Sequence, residues 1–280
     1  MENLMTPLHA FIIAVLQGAT ELFPVSSLGH AVILPSLLGW SFDQKAPEFL
    51  PFLVVLHLGT AAALVAYFWR DWLGFAMALL GKGDPQLVAT ERWTFFLVCI
   101  ATLPAIVLGF ALEHILRGFF GSPRLAAIFL IVNGIILFVG ERIKHSGQKQ
   151  IQDMKWGTAL AIGACQALAL IPGISRSGMT IIGGVRAGLT HKDSARFSFL
   201  LATPVIAGAG ILEVPKLLRM PDVIHAQGNI MLGAGALAGV TAWLSTYVLM
   251  HYFKIKEINA LYPFSFYCIF IGIVAFMLFL

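Results

Sequence analysis

The sequence predicts an all-α polytopic membrane protein, with six transmembrane helices and two re-entrant helix pairs arranged as an inverted-topology repeat. Three observations lead there. Of 280 residues, 59% are apolar and only 11% are charged, against roughly a quarter charged in an ordinary soluble domain. So few charges cannot coat a globule of this size, and its surface must face lipid. The apolar residues form ten segments, four of them too short to cross a bilayer. The short segments come as adjacent pairs, and the order short, short, long, long, long occurs twice along the chain.

The segments run over residues 8–23, 28–39, 50–69, 93–112, 124–140, 156–171, 178–190, 195–217, 228–251 and 262–280. A helix needs roughly 20 residues, and at least about 17, to cross a hydrocarbon core of about 30 Å. The first short pair is interrupted at Phe23-Pro24-Val25-Ser26-Ser27 and the second at Ile171-Pro172-Gly173-Ile174-Ser175-Arg176-Ser177-Gly178, where Pro and Gly break the helix. Three full crossings per half is an odd number, so the second half sits upside down relative to the first. The repeats cover about 1–145 and 150–280 of one membrane domain, 1–280. Non-helical backbone at membrane depth survives only where protein or a water-filled cavity surrounds it, so the two breaks are expected to meet inside the bundle.

Loop charges set the orientation. One side would carry Arg70, Lys82, Arg92, Arg142, Lys144, Lys149, Lys155, Lys192, Lys254 and Lys256, and the other Lys45, Arg117, Arg124, Lys216 and Arg219. The excess makes the first side cytoplasmic and puts both termini outside. The net charge of +4 is spread singly between apolar runs, which excludes a nucleic-acid partner. Cys99, Cys165 and Cys268 lie inside apolar stretches without metal-ligand spacing and are expected as small core residues. The first apolar run has neither a basic leader nor a convincing cleavage site, so it is expected to stay in the mature protein.

Of the 14 acidic residues only Glu21 lies deep within an apolar run, and Arg176 holds the matching place in the other half. A charge at the bilayer centre costs at least about 2.5 kcal/mol, so such residues face cavities and carry function or form a structural ion pair. Gln17, Glu21, Ser26, Ser27 and His30 cluster in QGATELFPVSSLGH, with Gln17 and Glu21 on one helix face. The second break, PGISRSGMT from Pro172 to Thr180, offers Arg176, Ser175, Ser177, Thr180 and glycine-flanked N–H groups at Gly173 and Gly178 ahead of a new helix. That is an anion site, suited to phosphate. Carboxylate, His and Ser beside a phosphate cradle point to phosphoryl transfer. There is no GxxxxGK[ST] loop for a nucleotide, so a lipid head group is the simplest substrate.

At these residues the chain resembles the undecaprenyl-diphosphate phosphatase family, the bacitracin-resistance type of integral membrane phosphatase. The signatures [EQ]xxxE and PGxSRSxxT stand here as Gln17 to Glu21 and Pro172 to Thr180, with His30 in a VSSxGH context. The resemblance spans nearly the whole chain and implies dephosphorylation of undecaprenyl diphosphate at the outer face of the bacterial inner membrane. That reaction recycles the lipid carrier of peptidoglycan synthesis and confers bacitracin resistance. The resemblance also implies stimulation by Mg²⁺ or Ca²⁺, with Glu21 as the metal ligand. Two departures stand out. Gln17 replaces a Glu often found there, which should weaken metal binding, and Cys268 stands where PFxxYR would place an Arg.

The expected roles follow. Arg176, Ser175, Ser177, Thr180 and neighbouring N–H groups hold the diphosphate, and Glu21, helped by Gln17, binds metal or accepts a proton. Ser27 is either a nucleophile activated by His30 or a phosphate ligand beside a water activated by His30 or Glu21. Ser26 reads equally as a ligand and as a helix cap. His57, among Val54, Val55, Leu56 and Leu58, reads as a hydrogen-bonded packing residue before a catalytic one, although a lone histidine within a membrane helix is a site candidate, and Glu213 reads as reaching the interface or pairing with Lys216. The partners are the polyprenyl diphosphate and membrane lipids, with a homodimer one of the open oligomeric states. A transporter or flippase of the same lipid is the competing class, since broken helices in inverted repeats are the plan of secondary transporters.

Overall fold

A computed structural model describes residues 5–40, 46, 48–112, 122–142, 147–256 and 258–280. Lys45, Arg117 and Lys144 of the orientation argument lie outside them. The described residues form eleven α-helices: α1 (Pro7–Thr20), α2 (Ser27–Leu37), α3 (Phe49–Tyr67), α4 (Trp69–Leu79), α5 (Pro85–Ala111), α6 (Pro123–Arg142), α7 (Trp156–Ala167), α8 (Arg176–Arg186), α9 (His191–Leu218), α10 (Pro221–Ile255) and α11 (Tyr262–Leu278). Five of them, α3, α5, α6, α9 and α10, are long and apolar enough to cross a membrane. α11 has 17 residues, at the lower length limit for a crossing. The protein is a multi-pass membrane protein.

The two expected breaks are where the helices stop. α1 ends at Thr20 and α2 starts at Ser27 behind Ser26, whose φ of 67° is a left-handed conformation that costs a non-glycine residue energy. α7 runs into a short 3₁₀ turn, Leu168–Leu170, before Pro172, and α8 starts at Arg176 with Ser175 as its N-cap. α4 is a helix that the charges of Arg70 and Asp71 disguise as loop; it turns off α3 at the buried Phe68.

Each half sends its broken element into the other. α1 packs on α10 and α7 packs on α5, while α3 lies against α9 and α10, and α6 against α11. Small residues allow this closeness, as membrane helix pairs require. A Cβ on Gly18 of α1 would collide with the α10 backbone at Ala238, and one on Gly163 of α7 with the α5 backbone at Ala101.

At one end of the bundle, Arg196 on α9 pairs with Asp71 on α4. Near it in sequence, His191 Nε2 lies 3.0 Å from buried Glu141, and Glu141 also accepts the Ala260 N–H at 2.9 Å. At the other end Lys216 Nζ lies 2.7 Å from Glu213, the pair expected from their spacing.

Candidate functional site

Glu21 stands just past the end of α1 and Arg176 at the start of α8, and the fold brings them together. Arg176 Nε and Nη2 donate to Glu21 Oε1 at 3.3 and 3.2 Å, while Nη1 donates to the Ser198 carbonyl on α9 at 3.1 Å. The other carboxylate oxygen, Oε2, accepts Ser27 Oγ at 2.5 Å and Gln17 Nε2 at 3.0 Å. His57 Nε2 lies 3.2 Å from the same oxygen.

His57, for which the sequence favoured a packing role over a place in the site, stands against the central carboxylate. Its Nδ1 lies 2.7 Å from the Leu53 carbonyl, which can only accept, so Nδ1 carries a hydrogen. A close contact between Nε2 and Glu21 then needs one proton between the two atoms. Whichever atom holds it, Glu21, His57 and Arg176 together carry a net charge of one positive unit, which suits a phosphate ligand. The only sequence signal for this role was a histidine inside a membrane helix.

His30 is held differently from expectation. Its Nδ1 donates to the Ser26 carbonyl at 2.7 Å, which leaves Nε2 to accept the Tyr267 hydroxyl at 2.9 Å. The hydrogen bond at Ser27 Oγ runs to Glu21 and not to His30, so the partner placed to take the Ser27 proton is the carboxylate. His30 instead ties the turn before Ser27 to α11. Tyr267 was given no role in the sequence reading.

The two breaks are stitched to each other. Ser26 Oγ accepts Gly29 N–H as a helix cap and Gly173 N–H from the other half, both at 3.2 Å, so the cap expectation and a bridging role hold together. Asn133 on α6 donates to the Pro24 carbonyl at 3.1 Å and accepts the Ser175 N–H at 2.9 Å. Its Nδ2 also lies 3.4 Å from Cys268 Sγ, so the cysteine at the atypical position backs this staple in the core. Gly173 takes a φ of 103° and lies so close to Ala126 and Leu130 of α6 that only glycine fits.

A cavity of about 210 Å³ opens on this cluster. Its polar lining comes from Glu21, Ser26, Ser27, His57, Gln166, Ser175 and Arg176, and its remaining wall is apolar, including Leu53, Ala105, Val205 and Ala209. Of the residues expected to touch substrate, Ser26, Ser27, Ser175, Arg176 and Glu21 line the cavity. Gln17 and His30 lie behind that lining. Ser177 Oγ donates to the Phe23 carbonyl at 3.0 Å, and Thr180 Oγ1 bonds Ser198 Oγ at 2.6 Å, so both hydroxyls join elements. Gly178 donates its N–H to Ser175 Oγ at 3.1 Å as part of the α8 cap.

Residues 10–274 match the family model described as Bacitracin resistance protein BacA. The chain is 49% identical over 282 residues, 98% of both chains, to a protein of Acidiphilium cryptum named undecaprenyl-diphosphatase. It is 50% identical to one of the same name from Granulibacter bethesdensis, over 96% of this chain and 95% of that one. To undecaprenyl-diphosphatase 2 of Chromobacterium violaceum it is 46% identical, over 96% and 98%.

Proposed function

The chain belongs to the BacA bacitracin-resistance family and dephosphorylates undecaprenyl diphosphate to undecaprenyl phosphate, and from that premise we propose that Ser27 is its nucleophile, Glu21 the base and Arg176 the phosphate grip. The observation that carries this reading is the 2.5 Å contact from Ser27 Oγ to Glu21 Oε2, with Arg176 on the other carboxylate oxygen and all three side chains on one cavity wall. Glu21 takes the Ser27 proton as Oγ attacks the terminal phosphorus. The bond from that phosphorus to the bridging oxygen breaks, and undecaprenyl phosphate leaves. Arg176 and the N-terminus of α8 balance the charge that gathers on the phosphoryl oxygens. The leaving undecaprenyl phosphate carries away the proton held by Glu21; water then attacks the phosphoserine, Glu21 takes the water proton and returns it to Ser27 Oγ as the P–Oγ bond breaks, and inorganic phosphate is released. His57, Gln17 and His30 act through others: the first two fix the Glu21 carboxylate and the third fixes the Ser26–Ser27 turn.

The residues present do not fit a resident divalent cation. Mg²⁺ and Ca²⁺ take about six or more oxygen ligands. Among the described residues Glu21 is the one carboxylate on the cavity wall, and both its oxygens already take donors. Among the described residues no three His, Cys, Asp or Glu side chains gather as a metal site. No step above runs through a metal; in this proposal a stimulating cation arrives with the diphosphate.

The scaffold is proposed as six crossings, α3, α5, α6, α9, α10 and α11, with α1–α2 and α7–α8 re-entrant in inverted halves. Supporting this are the matched helix breaks and the exchange that sets α1 on α10 and α7 on α5. Loops assigned to the cytoplasm meet at one end, where Arg196 pairs with Asp71 and Lys149 N–H bonds the Gly188 carbonyl at 3.0 Å. The cavity wall comes from the opposite ends of the long helices: the first half of α3 and the second halves of α5 and α9. That supports opening toward the outer face of the inner membrane. A Ser–carboxylate contact serves no transport step, so the flippase reading is not carried further.

Purified protein in detergent, given undecaprenyl diphosphate, should release phosphate and form a phosphoserine that acid quench preserves for mass spectrometry. Near-full turnover by Ser27→Ala would eliminate the covalent route.

A further inference from the structure

One polar side chain on the cavity wall takes no part in the chemistry above. Gln166 lies near the end of α7, just before the second break. It is only 2% exposed, it lines the same cavity as Ser27 and Arg176, and neither its Oε1 nor its Nε2 has a hydrogen-bond partner. Burying an amide without a protein partner is expensive, and a leucine there would avoid the cost. The other half shows what such a glutamine does when a partner exists. Gln17 precedes its break at nearly the same distance and donates to Glu21, four residues later, at 3.0 Å. Four residues after Gln166 stands Leu170, which offers nothing to bond.

We propose that Gln166 is a substrate-contact residue for the diphosphate. Its Nε2 hydrogens donate to phosphate oxygens, and its Oε1 accepts from a protonated phosphate oxygen or from a water bound to it. The diphosphate thus supplies the carboxamide with partners that the protein itself does not. This rests on the phosphatase reading and adds a contact from α7, opposite the Arg176 side of the second break.

The test compares wild type with Gln166→Leu and Gln166→Glu, both close in volume. Phosphate release from undecaprenyl diphosphate gives KM and kcat, and melting temperatures are taken with and without inorganic pyrophosphate. Gln166→Leu should melt above wild type without ligand, since it removes an unpaired buried amide. Its KM should rise about 10- to 100-fold, the range for losing a hydrogen bond to a charged group. Pyrophosphate should raise its melting temperature less than that of wild type. Gln166→Glu places a carboxylate against the phosphates and should raise KM further, which tests the contact even where the Leu variant does not fold. A Leu variant with wild-type KM and a wild-type pyrophosphate shift would overturn the proposal, as would a Glu variant with wild-type KM. A wild-type enzyme that releases no phosphate would instead sink the phosphatase reading, and the pyrophosphate shift alone would then decide whether Gln166 binds the anion.

Discussion

Replacing Arg176 with lysine separates charge from geometry at the centre of the site. The guanidinium makes three directed contacts at once: two to Glu21 Oε1, at 3.3 and 3.2 Å, and one to the Ser198 carbonyl at 3.1 Å. These acceptors belong to separate elements, the end of α1 and the middle of α9. An ammonium group is a single point on a flexible stem and cannot span them while also meeting a phosphate. Losing two charge-assisted contacts at about 1.5–3 kcal/mol each removes about 3–6 kcal/mol. Realised in the transition state, that is roughly a 10²- to 10⁴-fold fall in kcat/KM at about 1.36 kcal/mol per decade. The assay is phosphate release from undecaprenyl diphosphate in detergent, with far-ultraviolet circular dichroism to confirm that the helices persist. Wild-type kcat/KM in Arg176→Lys would refute the clamp, because charge alone would then be enough.

Three further outcomes are expected. His57→Leu should lower kcat/KM about 10- to 100-fold by stripping one donor from Glu21, while His57→Gln, which keeps an N–H, should recover most of it; equal losses in steady-state assays would contradict the orienting role. Asn133→Leu leaves the Ser175 N–H and Pro24 carbonyl without their partner and should destabilise the fold by about 2–5 kcal/mol, read as an earlier midpoint in denaturant titrations in mixed micelles. Gln17→Glu adds a second carboxylate beside Glu21 but should leave the Mg²⁺ concentration for half-maximal activity unchanged, since the cation arrives with the diphosphate; a lowered concentration would show that the protein holds the cation at Glu21 and would overturn that reading.

The helix breaks and the Glu21–Arg176 pair were legible because each violates a strong rule. Proline and glycine interrupt helices, and lone charges do not sit in apolar runs without cause. The pairing of Asn133 with Pro24 and Ser175, and of Tyr267 with His30, joins residues 109, 42 and 237 positions apart. No local pattern signals such contacts. His57 sat in an unbroken apolar stretch, and only the packing of α3 against the first break turned it toward Glu21. The reverse holds for Ser177 and Thr180. A hydroxyl at a helix start looks the same whether it meets a phosphate or a neighbouring carbonyl, and in this fold those two meet protein.

The tie from His30 to Tyr267 bears on the order of events during synthesis. Glu21, Ser27 and His30 leave the ribosome early, yet the turn that carries Ser27 is held by a hydroxyl on α11, made well after it. Asn133 likewise backs onto Cys268 of α11. A nascent chain lacking that helix has every proposed chemical group but not these two contacts. The Ser27 turn therefore acquires its full set of contacts only once α11 has packed against the first break.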